Sequence, residues 1–308
     1  MDQGRALAGI LIGAAFLLGA DAPAPSPIRD ARWLAAGVPI ERVNRLPSEC
    51  FRPPADPRER RSAEIGRIAF RAPLLLGGQA ARVGLSCSSC HRNGRGNPDF
   101  HFPGISGAAG TADVTASLLS SHRGDGIFNP KPIPDLAGDP AKRIVTRDPA
   151  KPDLEKFIHG LITQEFDGPE PPPAVLRGVA AYVRAIAAPN CGRGDVPLTA
   201  RLILTEIDTA LRLARSERDP ATARLLIGAA RSNLGRIDER FQLPGLERDR
   251  ALLVEADGAL RSLQDNFDRN RAAWQRWDSA WPAQEKRLEG DASRSLFAPA
   301  LLESANRD

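Results

Sequence analysis

The spacing of apolar positions changes several times along this chain, and each change marks a boundary. Ala6 to Ala20 is an unbroken apolar run behind the short start Met1 to Arg5. It is too short for a comfortable membrane span and ends on small residues, the pattern of a secretory signal peptide over residues 1–20 with cleavage after Ala20; an uncleaved anchor is the alternative. Asp21 to Ile28 interleaves Pro with small residues and cannot sustain a helix. Residues 21–61 therefore read as a linker and an N-terminal arm, with one short amphipathic stretch at Trp33, Leu34 and Val38 and then the breaker-rich Arg52-Pro53-Pro54-Ala55-Asp56-Pro57.

Helical spacing begins at Ser62. Ser62 caps a helix to Phe70 in which Ile65, Ile68 and Ala69 share a face, and Leu74 to Ala80 with Gly77-Gly78 reads as a turn. Arg92 to Pro134 is rich in Gly, Asn, Asp and Pro, with a weak helical pattern only at Ala112 to Leu119. Asp153 to Glu165 puts Leu154, Phe157, Leu161 and Ile162 on one face, and Ala174 to Ala188 does the same with Val175, Val179, Tyr182, Val183 and Ile186. Beyond Leu198 the helices lengthen. Leu204, Ile207, Leu211 and Ala214 line one, and Ala223, Ile227, Ala230, Leu234 and Ile237 line a second. Leu246, Leu253, Leu260, Phe267, Trp274 and Trp281 then recur every seven residues, with Ala256, Leu263, Asn270 and Trp277 in the other seam position. This pattern predicts a single helix of about 35 residues stopped by Pro282, a three-helix antiparallel bundle over residues 195–308, and a frayed tail after Glu289. The expected class is all-α, with a first domain over residues 62–194.

Candidate chemistry is concentrated in Cys87-Ser88-Ser89-Cys90-His91. Two thiols two residues apart, followed at once by an imidazole, form the C-x-x-C-H attachment site of one covalent haem c, with His91 as the iron's proximal ligand. A redox C-x-x-C would want a βαβ context, and a zinc site would want a second Cys or His pair at short spacing; neither pattern is present. Pro132-Ile133-Pro134 holds the chain extended, so that a carbonyl there can accept the Nδ1–H of His91. Haem c is attached outside the cytoplasm in bacteria, which agrees with the export signal and gives a periplasmic location. It also permits a disulfide between Cys50 and Cys191, the two remaining cysteines.

Ala63 to Phe70, Leu74 to Gly78, Leu85-Ser86 entering the motif, Pro132 to Leu136 and the closing helices from Asp153 to Ala188 together resemble one haem domain of the bacterial di-haem cytochrome c peroxidases and their methylamine-utilisation relatives. The resemblance covers about residues 60 to 190 and implies an all-α cytochrome c fold with His91 as proximal ligand. Two departures limit it. The chain has one haem motif where those peroxidases have two, and Arg143 to Arg147 stands where the family's electron-transferring domain has an axial Met. The only methionine is Met1, so Met ligation is excluded.

His122, His101 and His159 are then the candidates for the sixth iron position, beside an open iron or an oxygen ligand. His122 comes first because its flexible loop has the reach, whereas His159 lies opposite the apolar face of its helix. Arg95 and Arg123 are candidates to pair with a propionate. Trp274, Trp277 and Trp281 have the spacing of a core seam as much as of a redox relay. The net charge of +4 comes from residues before 195 and suits steering toward an acidic periplasmic redox partner. No basic run with interleaved aromatics points to nucleic acid. The expected function is one-electron transfer by a mono-haem cytochrome. The alternatives are a peroxidase-like haem enzyme with an open sixth site and a haem sensor whose bundle docks a partner.

Overall fold

The computed structural model describes residues 26–115, 118–122, 124–267 and 271–307. The expected signal peptide at 1–20 and its expected cleavage point after Ala20, together with Arg123 and Asn270, lie outside these residues. The chain is mostly helical, 58% helix against 5% strand, which makes it all-α. Among the described residues no helix is long and apolar enough to cross a membrane.

Helix α1 (Pro57–Phe70) starts at Pro57 rather than Ser62. The Asp56 carboxylate accepts from the amides of Arg58 and Glu59, both at 2.9 Å, and Pro57 takes the first helical position, where its missing N–H costs nothing. Where a turn was expected, α2 (Pro73–Leu76) and α3 (Gly78–Val83) are short helices that lead into α4 (Cys87–Cys90). Among the described residues no helix forms from Ala112. Instead β2 (Thr111–Ala112) pairs antiparallel with β3 (Lys131–Pro132), and the buried Asp113 carboxylate accepts from the amides of Thr115 and Asn129. A local side-chain acceptor of this kind draws the backbone out of a helix.

Helix α5 (Asp153–Gly160) widens into a π-type turn over Leu161–Glu165. Its buried stripe is Leu154, Ile158 and Ile162, which leaves Phe157 at the edge and 38% exposed. Helix α6 (Pro173–Ala185) buries Val175, Val179, Tyr182 and Val183 as expected and packs along α1. The two approach most closely at Gly66 and Gly178, where a Cβ on Gly66 would lie 1.8 Å from the Gly178 carbonyl oxygen. Only hydrogen side chains allow this crossing.

The arm is tied down at both ends. Its strand β1 (Arg45–Pro47) pairs antiparallel with β4 (Asp195–Pro197), and beside them Cys50 and Cys191 form a disulfide with Cα atoms 4.1 Å apart. The arm also reaches the C-terminal tail, which is ordered by packing rather than frayed. Ile28 and Val43 bury against Leu296 and Leu302, the latter on α11 (Pro299–Ala305). Fully buried Arg240 donates to Asn44 Oδ1 at 2.9 Å and to the Val43 carbonyl at 3.2 Å.

Among the described residues the bundle has four helices, α7 (Ala200–Arg215), α8 (Pro220–Asp238), α9 (Glu247–Asp265) and α10 (Arg271–Asp291). The expected single helix from Leu246 to Trp281 is broken after α9, and Pro282 lies inside α10 instead of ending it. Contacts run from α7 to α8 to α9 to α10 and back to α7. Arg287 near the end of α10 bonds Asp249 near the start of α9 at 2.6 Å, which makes that pair antiparallel. One connected apolar core joins Trp33, Phe70 and Leu85 to Leu211, Leu253 and Trp281.

The tryptophans serve this packing. Trp277 and Trp281 are buried and stack with centroids 4.7 Å apart, Trp281 Nε1 donates to Asp208 at 2.8 Å, and the Arg215 guanidinium lies 4.5 Å from the Trp274 ring centre. Trp277→Ala should therefore cost about 3 kcal/mol in urea unfolding. Unchanged stability with slowed electron transfer would reverse the assignment in favour of a relay.

Candidate functional site

The motif occupies a single helical turn. The His91 amide donates to the Cys87 carbonyl and the Ser86 amide to Ser89 Oγ, at 2.8 and 3.0 Å, while Asn97 Nδ2 donates to the Ser89 carbonyl at 2.8 Å. Cys87 and Cys90 are both unpaired thiols, half-buried, although the other two cysteines are joined. Burial pushes each thiol up to about 12, so both are protonated at neutral pH.

After His91 the chain reverses through Asn93 and Gly94, both with positive φ. At Gly94 the left-handed conformation coincides with a close approach, since a Cβ there would lie 2.5 Å from Ile186 Cδ1. The His91 ring is held from the other side by the Pro segment, with Nδ1 3.0 Å from the Pro134 carbonyl oxygen. A carbonyl only accepts, so Nδ1 carries the proton and the lone pair is on Nε2. Burial pushes the His91 imidazolium down to about 4 against the opposing pull of that carbonyl, and the ring is neutral at neutral pH. It is thus in the tautomer and charge state of a metal ligand.

Behind the ring stand Phe70, with centroids 6.4 Å apart, and then Tyr182, 5.2 Å from Phe70. Tyr182 donates to Glu49 at 2.7 Å, and Glu49 also binds Arg67 at 2.6 Å and Arg71 at 2.8 Å. Burial alone would raise the Glu49 carboxyl, but the Arg71 and Arg67 guanidiniums outweigh it and hold the group at about 2. Arg71 continues to Asn93 Oδ1 at 2.8 Å and to Glu206 on α7 at 3.3 Å, linking the turn after His91 to the bundle.

No family model, curated protein or solved structure matches this chain.

The other sequence candidates are distributed over the surface. His122 is 64% exposed and bonds Asp167 through Nδ1 at 2.7 Å. His159 bonds Glu170 at 2.8 Å, and half-buried His101 uses its amide on the Trp33 carbonyl. Arg95, a candidate for a propionate, instead grips Asp135 at 2.7 Å. Glu49, Arg71, Asn93 and Asp135 carry no signal in the sequence, because their partners are distant in the chain. Among the described residues no three His, Cys, Asp or Glu side chains cluster as a metal-ion site.

The donor set fits haem c. Two neighbouring thiols remain unpaired in a chain whose other two cysteines are oxidised, and the adjacent imidazole presents Nε2. Later in the chain Phe102, Ile133, Leu136, Val145 and Phe166 are only partly buried against the core, and Ile127, Phe128 and Ile144 are exposed.

Proposed function

We propose that this chain is a mono-haem c-type cytochrome of the bacterial periplasm that transfers single electrons to or from a redox partner protein. The observation that carries the reading is the state of the motif, with two unpaired thiols on one helical turn and a neutral His91 whose Nδ1 is committed to the Pro134 carbonyl at 3.0 Å. Cys87 and Cys90 would hold the porphyrin through thioethers, and His91 Nε2 would bind its iron. Bound there, haem supplies a one-electron iron couple whose potential depends on axial ligand, burial and hydrogen bonding. His91 contributes a fixed ring orientation through Pro134, and Phe70 with Tyr182 closes the space behind it. In this reading residues 62–194 form a cytochrome c-like domain and residues 195–308 a helical bundle domain. The Cys50–Cys191 disulfide supports an oxidising compartment.

His122 remains the proposed second axial ligand. Its Nδ1 is taken by Asp167, an arrangement that leaves Nε2 as the ligating nitrogen and supplies the carboxylate partner such ligands commonly have. His122→Ala should then convert a low-spin optical and EPR spectrum to a high-spin one and raise residual peroxidase activity. A wild-type protein that is already high-spin, and that turns over peroxide with a small electron donor well above free haem, would replace the carrier by the peroxidase-like enzyme.

A further inference from the structure

The orientation of His91 depends on one carbonyl, and the chain restrains that carbonyl from both sides. Ahead of Pro134, Pro132 of β3 lies opposite Thr111 and the Ile133 amide donates to the Gly110 carbonyl at 2.9 Å. Behind it, Asp135 Oδ1 accepts from the Ala137 amide at 2.8 Å, and Arg147 donates to the Leu136 carbonyl at 2.8 Å. Arg95 Nε then lies 2.9 and 2.7 Å from the two carboxylate oxygens of Asp135. The same guanidinium has Nη1 at 3.3 Å from Cys50 Sγ and 3.6 Å from Cys191 Sγ. Arg95 thus joins the disulfide, which locks the arm to the end of the haem segment, to the residue directly after Pro134.

We infer that Arg95 and Asp135 are positioning residues for His91, acting as one ion pair that holds the Pro134 carbonyl against Nδ1 and anchors it to the Cys50–Cys191 disulfide. The side chains are 28% and 34% exposed, so the pair is partly shielded from water. An exposed pair of flexible side chains is worth little, but this one sits between a cross-linked backbone and a proline-stiffened one and loses little freedom on forming. If the carbonyl retreats, the imidazole is released to rotate and its other tautomer becomes accessible, so Nε2 no longer points in a fixed direction. The inference rests on the cytochrome reading only for what Nε2 binds.

The test is hydrogen exchange at His91 Nδ1–H, read by ¹⁵N-histidine NMR on the full chain. Any haem is kept ferrous and carbon monoxide-bound, so that the spectrum is diamagnetic. Arg95→Gln and Asp135→Asn should each speed exchange by about tenfold, the consequence of weakening one hydrogen bond. Asp135→Asn keeps an acceptor for the Ala137 amide, so the loop retains its local fold. The double variant should exchange no faster than either single one, since both residues act through one contact. Arg231→Gln removes a comparably shielded ion pair with Asp257 and should lower stability without changing exchange at His91. Unchanged exchange in both single variants, or a double variant in which the effects multiply, would overturn the inference. A wild-type chain without covalent haem would overturn the cytochrome reading instead and leave this comparison intact.

Discussion

Acidic acetone is expected to leave the haem on the wild-type protein and to strip all of it from the Cys87→Ala, Cys90→Ala double variant. An axial bond from His91 breaks when acid protonates the imidazole, whereas a thioether is a covalent bond that acid and solvent leave intact. The two thiols are placed for that bond by one turn of helix, α4, and neither is oxidised. With haem bound, each S–H would add across one vinyl group, the sulfur going to one carbon and the hydrogen to the other, so no outside oxidant would be needed. Single variants should retain colour through the remaining thioether. His91→Ala should keep covalent haem but lose the normal spectrum, which separates attachment from ligation. Complete extraction of haem from the wild-type protein would refute the covalent assignment and with it the central claim about this chain.

The second large effect concerns Cys50 and Cys191. Their bridge spans 141 residues of sequence, nearly half of the chain, and the chain-entropy model gives on the order of 5 kcal/mol for a loop of that size. The folded state itself has other ties at the same place: Trp33, Val43 and Cys50 are buried, and β1 is paired with β4. The expected loss in Cys50→Ala, Cys191→Ala therefore acts mainly through an unfolded chain that gains freedom. Urea unfolding should show a stability lower by about 5 kcal/mol and a steeper dependence on urea, because the uncrosslinked chain exposes more surface. Two thiols titrating in unfolded, unreduced wild-type protein whose Cys87 and Cys90 carry haem, four in a chain without it, or a variant as stable as the parent, would count against it.

What the sequence determined by itself was whatever depends on neighbours along the chain. The five-residue motif is legible because its chemistry needs two thiols and an imidazole within one turn, and the Pro segment because proline restricts the backbone wherever it occurs. The buried face of α6 follows its periodicity, and a Cys50–Cys191 pairing follows from having four cysteines of which two belong to the motif. The start of α1 was written in Asp56-Pro57 as an acidic cap before a first-turn proline, a signal hidden among the surrounding breakers.

Tertiary structure decided the rest. Seven-residue spacing from Leu246 to Trp281 correctly marks positions that meet a core, yet it is equally satisfied by one long helix and by α9 and α10 folded back on each other. Hydrophobic periodicity reports which side chains are buried and says nothing of where the backbone reverses. Pro282 continues inside α10, and the tail bearing Leu296 and Leu302 is ordered because the arm, at the other end of the chain, covers it. Arg95 with Asp135, and Glu49 with Arg71, Tyr182 and Glu206, likewise have no local signature. An ion pair or hydrogen bond between distant residues depends on a distance that only the packed chain sets, since the same side chains on an unfolded strand would be solvated and apart.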